Sequence, residues 1–251
     1  APAARGSHAP RGVEGEGRRF VKPILRAVRL TKVYDSDGVE TPALRGVDLE
    51  VLPGEFAAVA GPSGSGKSTL LHLLGCLDEP TSGETWLGQR RTDQLSPKAR
   101  AHVRLREIGF VFQAYNLIPV MTALENAAFV LELQGVPKKE RQEKAMAALE
   151  ALGIADLAHR RPNRLSGGQQ QRVAVARALA AEPRVGLADE PTANLDSKTG
   201  LALIELMKKL NEERGITFLF STHDPRLLEH VQRIIRLEDG RIVSDERVGA
   251  A

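Results

Sequence analysis

The sequence predicts an α/β fold with a helical lobe inserted into it, on three observations. A short apolar strand pattern, a glycine-rich loop and a helix pattern follow one another at residues 56–74. Strand and helix patterns alternate again over residues 185–245, as in a parallel sheet flanked by helices. Between these regions, residues 114–165 contain helix patterns only.

The glycine-rich loop is Gly61-Pro62-Ser63-Gly64-Ser65-Gly66-Lys67-Ser68, which fits the pattern G-x-x-x-x-G-K-[ST]. Phe56–Ala60 before it predicts a short buried strand, and Thr69–Leu74 after it predicts a helix. In such a loop the backbone N–H groups and the positive end of the helix form a cradle for phosphates. Lys67 is expected to reach the β- and γ-phosphates, and the Ser68 hydroxyl to bind Mg²⁺. The context therefore predicts a nucleoside triphosphate site.

Composition places the chain among ordinary globular proteins. Of its 251 residues, 42% are apolar and 27% are charged. The single cysteine, Cys76, excludes an internal disulfide and is expected in the core rather than as a nucleophile. No apolar run approaches the roughly 18–20 residues that span a membrane, so we expect any membrane role to come through a partner.

The formal charge of +3 lies entirely in residues 1–22, where five basic residues stand against two acidic ones. We interpret this stretch as a disordered basic leader or a tag remnant, outside the fold. The alternative is a tail that touches anionic lipid or nucleic acid. The rest of the chain is neutral, which gives no support to a nucleic-acid-binding surface.

The first half of the chain predicts strands around the glycine-rich loop. Ile24–Tyr34 and Ala43–Val51 are expected as strands, with Asp35–Pro42 as a polar loop between them. Later elements are a short strand at Glu84–Leu87, a helix at Pro97–Arg106 and a buried strand at Ile108–Phe112, ending at Gln113.

The second half begins with the helical lobe and returns to alternation. Helices are predicted at Met121–Leu133 and Lys138–Leu152, and the stretch Asn163–Arg172 opens a third that runs to about Ala181. The elements that follow are a strand at Val185–Asp189, a helix at Asp196–Arg214, a strand at Ile216–Ser221 and a hairpin of Gln232–Leu237 with Arg241–Asp245. Gly186 departs from the pattern, because glycine weakens a strand interior.

Asp189 ends the strand predicted at Val185–Asp189, and a second acidic residue, Glu190, follows it. Asp189 is expected beside the Mg²⁺ held by Ser68, and Glu190 is placed to orient or deprotonate an attacking water. An acidic pair after a strand is weak evidence by itself. Downstream of a phosphate loop, it predicts the second half of the same site.

A second anion-binding pattern occurs at Leu165-Ser166-Gly167-Gly168-Gln169. Two glycines after a serine at a helix start expose backbone N–H groups to an anion. A domain with one nucleotide needs only one such site, so the economical explanation is that Ser166 contacts a phosphate bound by another copy. The alternative is a simple serine N-cap.

The phosphate loop, Leu-Ser-Gly-Gly-Gln and Leu-Ala-Asp-Glu-Pro, in this order, resemble the ATP-binding cassette (ABC) ATPases. This resemblance implies a P-loop NTPase core with an antiparallel β subdomain and an inserted helical subdomain at about residues 114–165, all within residues 23–248. It also implies roles for single residues. Tyr34 resembles the aromatic that stacks on adenine and Gln113 the glutamine that senses Mg²⁺ and water. Asp196 resembles part of the loop crossing a dimer interface, and His223 the switch histidine near the γ-phosphate.

The mechanism implied by the resemblance is a homodimer closed around two ATP–Mg²⁺. Each site would pair residues of one chain with Ser166–Gln169 of the other. Glu190, His223, Gln113 and Lys67 would be catalytic, while Ser68, Gln113 and Asp189 would hold the metal. Gly61–Thr69, Tyr34 and Asp196 would bind nucleotide. A separate transmembrane permease would dock near residues 113–126, which places the chain at the cytoplasmic face of the inner membrane.

Residues 75–83, 123–126 and 188–196 resemble the ATPases of lipoprotein release and of macrolide or peptide export, with Ala193 where glycine is usual. The alternative is a soluble ABC-type ATPase acting on nucleic acid or ribosomes. Such proteins usually carry a long coiled coil or two cassettes. This chain has one cassette, and its helix patterns indicate an insertion of only about fifty residues, which disfavours the alternative.

Overall fold

A computed structural model of the chain describes residues 21–248. The predicted leader therefore lies outside the described residues, apart from its last two positions. Within residues 21–248, no helix is long and apolar enough to cross a membrane.

The described chain contains ten strands and six α-helices. The strands are β1 (Leu25–Ser36), β2 (Val39–Val51), β3 (Phe56–Ala60), β4 (Ser82–Leu87), β5 (Arg90–Arg91), β6 (Ile108–Val111), β7 (Val185–Ala188), β8 (Thr217–Thr222), β9 (Arg233–Glu238) and β10 (Arg241–Arg247). The helices are α1 (Lys67–Leu74), α2 (Pro97–Glu107), α3 (Ala123–Leu133), α4 (Lys138–Ala151), α5 (Gly167–Leu179) and α6 (Ser197–Arg214).

The first sheet is antiparallel, with the strand order β2-β1-β4-β5. The polar loop predicted at Asp35–Pro42 is wrong, because β1 and β2 stay paired as far as Ser36 and Val39. Asp37 and Gly38 make the turn with φ values of 54° and 82°. An Asp-Gly pair with two positive φ values is the strongest short hairpin signal, and exposed strand ends tolerate polar residues.

The second sheet has six strands in the order β10-β9-β3-β8-β7-β6. All neighbours are parallel except β10, which pairs antiparallel with β9 at one edge. The carboxyl ends of β3, β6, β7 and β8 therefore meet along one side of the sheet. In parallel α/β sheets, ligands bind in the crevice outside these ends.

Strand β3 lies between two apolar clusters. Phe56, Ala58 and Ala60 face the cluster formed largely by the helices α3 to α6. Ala57 and Val59 face the cluster formed by α1 and the antiparallel sheet. Both faces are fully buried, which explains why this strand is apolar throughout rather than alternating. The fold expected from sequence, an α/β core with an antiparallel sheet and a helical region, is confirmed.

Residues 114–165 contain α3, α4 and two short 3₁₀ helices, without a strand. Three helices begin one or two residues later than expected, because a polar residue at the predicted start or directly after it is the N-cap. Thr122 caps α3 in a reciprocal pair with Glu125, and Ser166 and Asp196 cap α5 and α6.

Two residues singled out in the sequence have packing roles. Cys76 is buried, and burial raises the pKa of its thiol, in line with the expected core position. Gly186 lies beneath the Phe218 ring of the neighbouring strand, where a Cβ would come within 2.5 Å of Cε1. The glycine that weakens β7 as a strand thus makes room for an aromatic side chain.

Candidate functional site

The glycine-rich loop joins β3 to α1 and curls at the carboxyl end of the sheet. Gly66 is the N-cap of α1 and adopts φ 102°, with no side chain to cap the helix. Gly61 approaches β9 so closely that a Cβ would lie 2.1 Å from the Leu237 carbonyl oxygen. No side chain therefore caps the first N–H groups of α1, and uncapped N–H groups at a helix start suit an anion.

Lys67 lies across this loop. Its Nζ donates to the carbonyl oxygens of Gly61 and Pro62, each at 2.9 Å, and lies 3.6 Å from Glu190 Oε1. The residue is only 4% exposed. The two carbonyl hydrogen bonds hold the ammonium group over the loop, where it can contact a bound anion.

Asp189 follows β7 and accepts two hydroxyl hydrogen bonds at one oxygen. Ser68 Oγ donates to Asp189 Oδ1 at 2.9 Å, and Ser221 Oγ donates to the same atom at 2.7 Å. The predicted metal-binding pair is therefore in contact. Sequence analysis does not predict Ser221 here, although a serine directly after the apolar run Phe218–Phe220 of β8, the neighbour of β7, is a signal that could have found it.

Glu190 adopts a positive φ of 43°, and its backbone N–H donates to Ser221 Oγ at 2.8 Å. Its carboxylate lies between two basic groups, since His223 Nδ1 is 2.9 Å from Oε2 and Lys67 Nζ is near Oε1. A non-glycine residue held at positive φ stores backbone strain that its hydrogen bonds must offset. The fold thus fixes the direction of this carboxylate.

Lys67, Ser68 and Glu190 line one cleft of about 300 Å³ at the carboxyl end of the parallel strands, and Asp189 and His223 contact these lining residues. Gln113 lines it, and its carbonyl oxygen accepts a hydrogen bond from Asn194 Nδ2 at 2.9 Å. Tyr34 lies near its rim, with the hydroxyl 3.5 Å from Thr69 Oγ1. The lining consists of Ala43, Ser63, Gly64, Gly66, Lys67, Ser68, Thr69, Gln113 and Glu190.

The donors of the cleft fit a polyphosphate. The Ser65 hydroxyl is buried in the loop and has no hydrogen-bond partner among the described residues. Together with Lys67 and the N–H groups at the start of α1, which no side chain caps, it forms a set of hydrogen-bond donors that suits a phosphate chain. The carboxylates of Asp189 and Glu190 lie beside this donor set, in contact with Ser68 and near Lys67 respectively. Within residues 21–248 no three His, Cys, Asp or Glu residues cluster as a metal site.

Ser166–Gln169 do not line this cleft. Ser166 Oγ accepts from the Gln169 N–H at 3.3 Å, and Gln169 Oε1 accepts from the Ser166 N–H at 2.9 Å, which establishes the N-cap role. The neighbouring glycine is needed for packing, since a Cβ on Gly168 would meet Thr199 Cγ2 at 2.5 Å. This N-cap role is compatible with a second role of Ser166, in which it contacts a group of another molecule.

Asp196 also lies apart from the lining residues. Its Oδ1 accepts from the backbone N–H groups of Lys198 and Thr199, both at 3.1 Å. Hydrogen bonds from the side chain and backbone of Thr199 lower the pKa of Asp196. In one chain, the structure therefore brings together Lys67, Ser68, Asp189, Glu190 and His223, with Gln113 alongside, but leaves Ser166–Gln169 and Asp196 outside.

A larger groove of about 560 Å³ lies between α2, β6 and α3, next to residues 113–126. Asn126 shapes its border, because its side chain hydrogen-bonds the backbone of Ile118, Met121 and Thr122 and is fully buried. Leu133, on the groove, is 57% exposed. The apolar lining includes Leu77, Leu105, Ile108, Phe110, Phe112, Ile118, Phe129, Val130 and Leu133.

The chain is similar to known proteins along most of its length. The family model described as "ABC transporter" matches residues 44–193. An uncharacterized ABC transporter ATP-binding protein of Thermotoga maritima is 50% identical over 91% of this chain and 97% of its own length. The lipoprotein-releasing system ATP-binding protein LolD of Anaeromyxobacter dehalogenans is 48% identical over 89% of this chain and 94% of its own.

A solved structure is similar as well. The ATP-binding cassette MJ0796 of Methanocaldococcus jannaschii, described as a dimer in a post-hydrolysis state bound to ADP and Pi, superposes with a TM-score of 0.84. It is 43% identical and matches 90% of this chain and 100% of its own.

Proposed function

The chain belongs to the ABC transporter family, and from this premise we propose that it binds and hydrolyses ATP to drive a separate membrane protein. The observation that carries the proposal is the cleft. At this cleft, Ser68 of the phosphate loop donates to the Asp189 carboxylate, and Lys67 lies 3.6 Å from the Glu190 carboxylate. An ADP- and Pi-bound relative with the same fold supports the same ligand class here.

Each residue of the cleft has a part in this proposal. The loop N–H groups and Lys67 bind the phosphates, and Ser68, Asp189 and Gln113 hold Mg²⁺. The cation, when bound, neutralises charge on the phosphates. Glu190 accepts a proton from the attacking water, and His223 holds the carboxylate from the other side. Alignment of the attacking water and fixed charges around the phosphates supply the catalysis, because phosphoryl transfer needs little covalent participation by the protein.

We further propose that two copies complete each site. Ser166–Gln169 present a capped helix start away from their own cleft, where a phosphate bound by the partner copy would meet it. Asp196 begins α6 beside this surface. The dimeric state described for MJ0796 supports this arrangement. Tyr34 then stacks on the adenine at the rim of the cleft.

The groove beside residues 113–126 is the proposed docking place of the membrane partner. It is lined mainly by apolar side chains, as a groove for a partner helix would be. The pathway we propose is lipoprotein release, or macrolide or peptide export, at the cytoplasmic face of the inner membrane. The 48% identity to a LolD supports the first of these.

The first experiment uses Glu190→Gln, which keeps the size of the side chain and removes the base. We expect this variant to bind ATP and to elute as a dimer with ATP, while ATP hydrolysis nearly disappears. Glu205→Gln is the matched control, because Glu205 is exposed on α6 and outside the cleft. Hydrolysis by Glu190→Gln at the wild-type rate would show that Glu190 is not the base.

The second experiment captures the ATP-bound Glu190→Gln variant from native membranes and identifies what accompanies it. Recovery of a permease with few spans and a large outer domain would support lipoprotein release or export. Recovery of a many-span channel subunit would support the ATPase activity but would replace the proposed pathway by transport of a substrate through a channel. Recovery of nucleic acid or ribosomes, without a membrane protein, would overturn the membrane role.

A further inference from the structure

Tyr34 is hydrogen-bonded to a carboxylate that has no part in the proposed hydrolysis. Its ring is near the end of β1 and the residue is 38% exposed. Its hydroxyl donates to Asp78 Oδ2 at 3.1 Å. Asp78 lies four residues beyond α1, so this hydrogen bond connects the antiparallel sheet to the helix that starts in the phosphate loop.

Asp78 is itself held in place by other donors. Its Oδ1 accepts from Lys32 Nζ at 2.8 Å and from the Glu79 backbone N–H at 2.7 Å. Lys32 Nζ also donates to the Glu79 carbonyl oxygen at 2.7 Å. Burial opposes ionisation of Asp78, but the hydrogen bonds from Lys32, Glu79 and Tyr34 together lower its pKa. The acceptor that Tyr34 meets is therefore a fixed carboxylate.

Lys32 also restricts the ring directly. Its ammonium lies 4.9 Å from the centroid of the Tyr34 ring, within the range of a cation–π contact. The Lys32 side chain is only 13% exposed, so the cation is not free to move away. A ring fixed at its hydroxyl and covered by a cation on one face has one face left for stacking.

We infer that Asp78, anchored by Lys32, is a positioning residue that holds the Tyr34 ring ready to stack on the base of the nucleotide. This inference rests on the proposed function, in which Tyr34 contacts the adenine. A ring ordered before binding spares the ligand the entropy of ordering it. Releasing one such side chain is expected to weaken ATP binding about three- to ten-fold.

The test compares two ligands that share the phosphate site. ATP has a base, whereas inorganic tripolyphosphate has none and reaches only the phosphate loop. Their dissociation constants are measured by calorimetry at saturating Mg²⁺ on the full chain. Asp78→Ala and Tyr34→Phe should each weaken ATP about three- to ten-fold and leave tripolyphosphate unchanged. In the double variant the two effects should not add, because both break the same hydrogen bond.

Two further variants complete the design. Tyr34→Ala removes the stacking ring and should weaken ATP more than Tyr34→Phe. Asp48→Ala is the matched control, since Asp48 also accepts a hydrogen bond in the antiparallel sheet, from the Arg29 N–H, away from Tyr34. It should bind both ligands as the wild type does. Asp78→Asn, which keeps the shape of the side chain, replaces Asp78→Ala if the latter does not fold.

The outcomes separate this inference from the proposed function. If Tyr34→Ala selectively weakens ATP but Asp78→Ala and Tyr34→Phe do not, the positioning role is overturned and the proposed function stands. Equal weakening of ATP and tripolyphosphate by Asp78→Ala would also overturn it, because Asp78 would then act on the phosphate loop. If Tyr34→Ala changes neither affinity, the base contact assigned to Tyr34 is wrong as well.

Discussion

Removal of the Ser221 hydroxyl is the sharpest test of how the site is held together. Ser221 is fully buried on β8, donates to Asp189 Oδ1 at 2.7 Å and accepts the Glu190 N–H at 2.8 Å. In Ser221→Ala the Glu190 N–H loses its partner at a residue with positive φ. The carboxylate of Asp189 keeps only its hydrogen bond from Ser68.

The size of the effect follows from these two losses. A buried N–H left unpaired costs about 1–3 kcal/mol, and a hydrogen bond to a charged group contributes about 1.5–3 kcal/mol. Because Asp189 keeps its hydrogen bond from Ser68, its loss is only partial, and we expect a total of about 2–4 kcal/mol in the free energy of unfolding. A carboxylate of Glu190 displaced by a fraction of an ångström should lower kcat by about 10- to 100-fold.

The assay pairs urea unfolding with ATPase turnover under conditions where each variant is fully folded. Thr217→Val is the matched control, because Thr217 is buried at the other end of β8 and its hydroxyl accepts the Gly54 N–H at 2.9 Å. It should lose stability by about 1–3 kcal/mol but keep its turnover. If Ser221→Ala retains as much turnover as Thr217→Val, Ser221 does not position the two acidic residues.

Three other predictions follow from single contacts. Gly186→Ala should destabilise the fold by about 1–3 kcal/mol in urea unfolding, because the new Cβ overlaps the Phe218 ring. Adding Phe218→Leu should recover part of that loss, and no recovery would argue against the overlap. Asn126→Ala should raise amide hydrogen exchange in residues 118–122, whose backbone its side chain binds; unchanged exchange would refute that role. The pKa of Asp78 is lowered in the folded chain, so its stabilising effect is complete above about pH 3.9 and is lost as the pH falls through the lowered value. The difference in unfolding free energy between wild type and Asp78→Asn should therefore shrink below that pH, and a constant difference would contradict it.

Local patterns were enough to predict much of this molecule. The strand, loop and helix around Lys67 are contiguous in sequence. Their backbone geometry and the position of the loop at the carboxyl end of a strand therefore follow from residue type and order. The N-cap residues are also local signals, which is why Ser166 and Asp196 were placed within one residue of the observed helix starts. The hairpin at Asp37-Gly38 was equally local and was missed because the surrounding residues are polar.

Other features depend on which strands become neighbours, which the chain order does not state. Ser221 is 31 residues from the N–H it accepts, and it meets Glu190 only because β7 and β8 are adjacent. The same adjacency explains Gly186, because the Phe218 ring occupies the space that a side chain at this position would need. Asp78 is likewise 44 residues from Tyr34. Pairing of distant segments, rather than propensity, decides such contacts.

The cap at Ser166 has a kinetic consequence for the proposed dimer. Its hydroxyl oxygen already accepts the Gln169 N–H, so the oxygen is engaged while its hydrogen remains available as a donor. The helix start is therefore rigid before a partner copy arrives, and no segment has to fold during the encounter. Association between surfaces built in this way is limited by diffusion and orientation. In the proposed dimer, which hydrolysis would reopen, the lifetime of the closed state would then set the duration of each cycle.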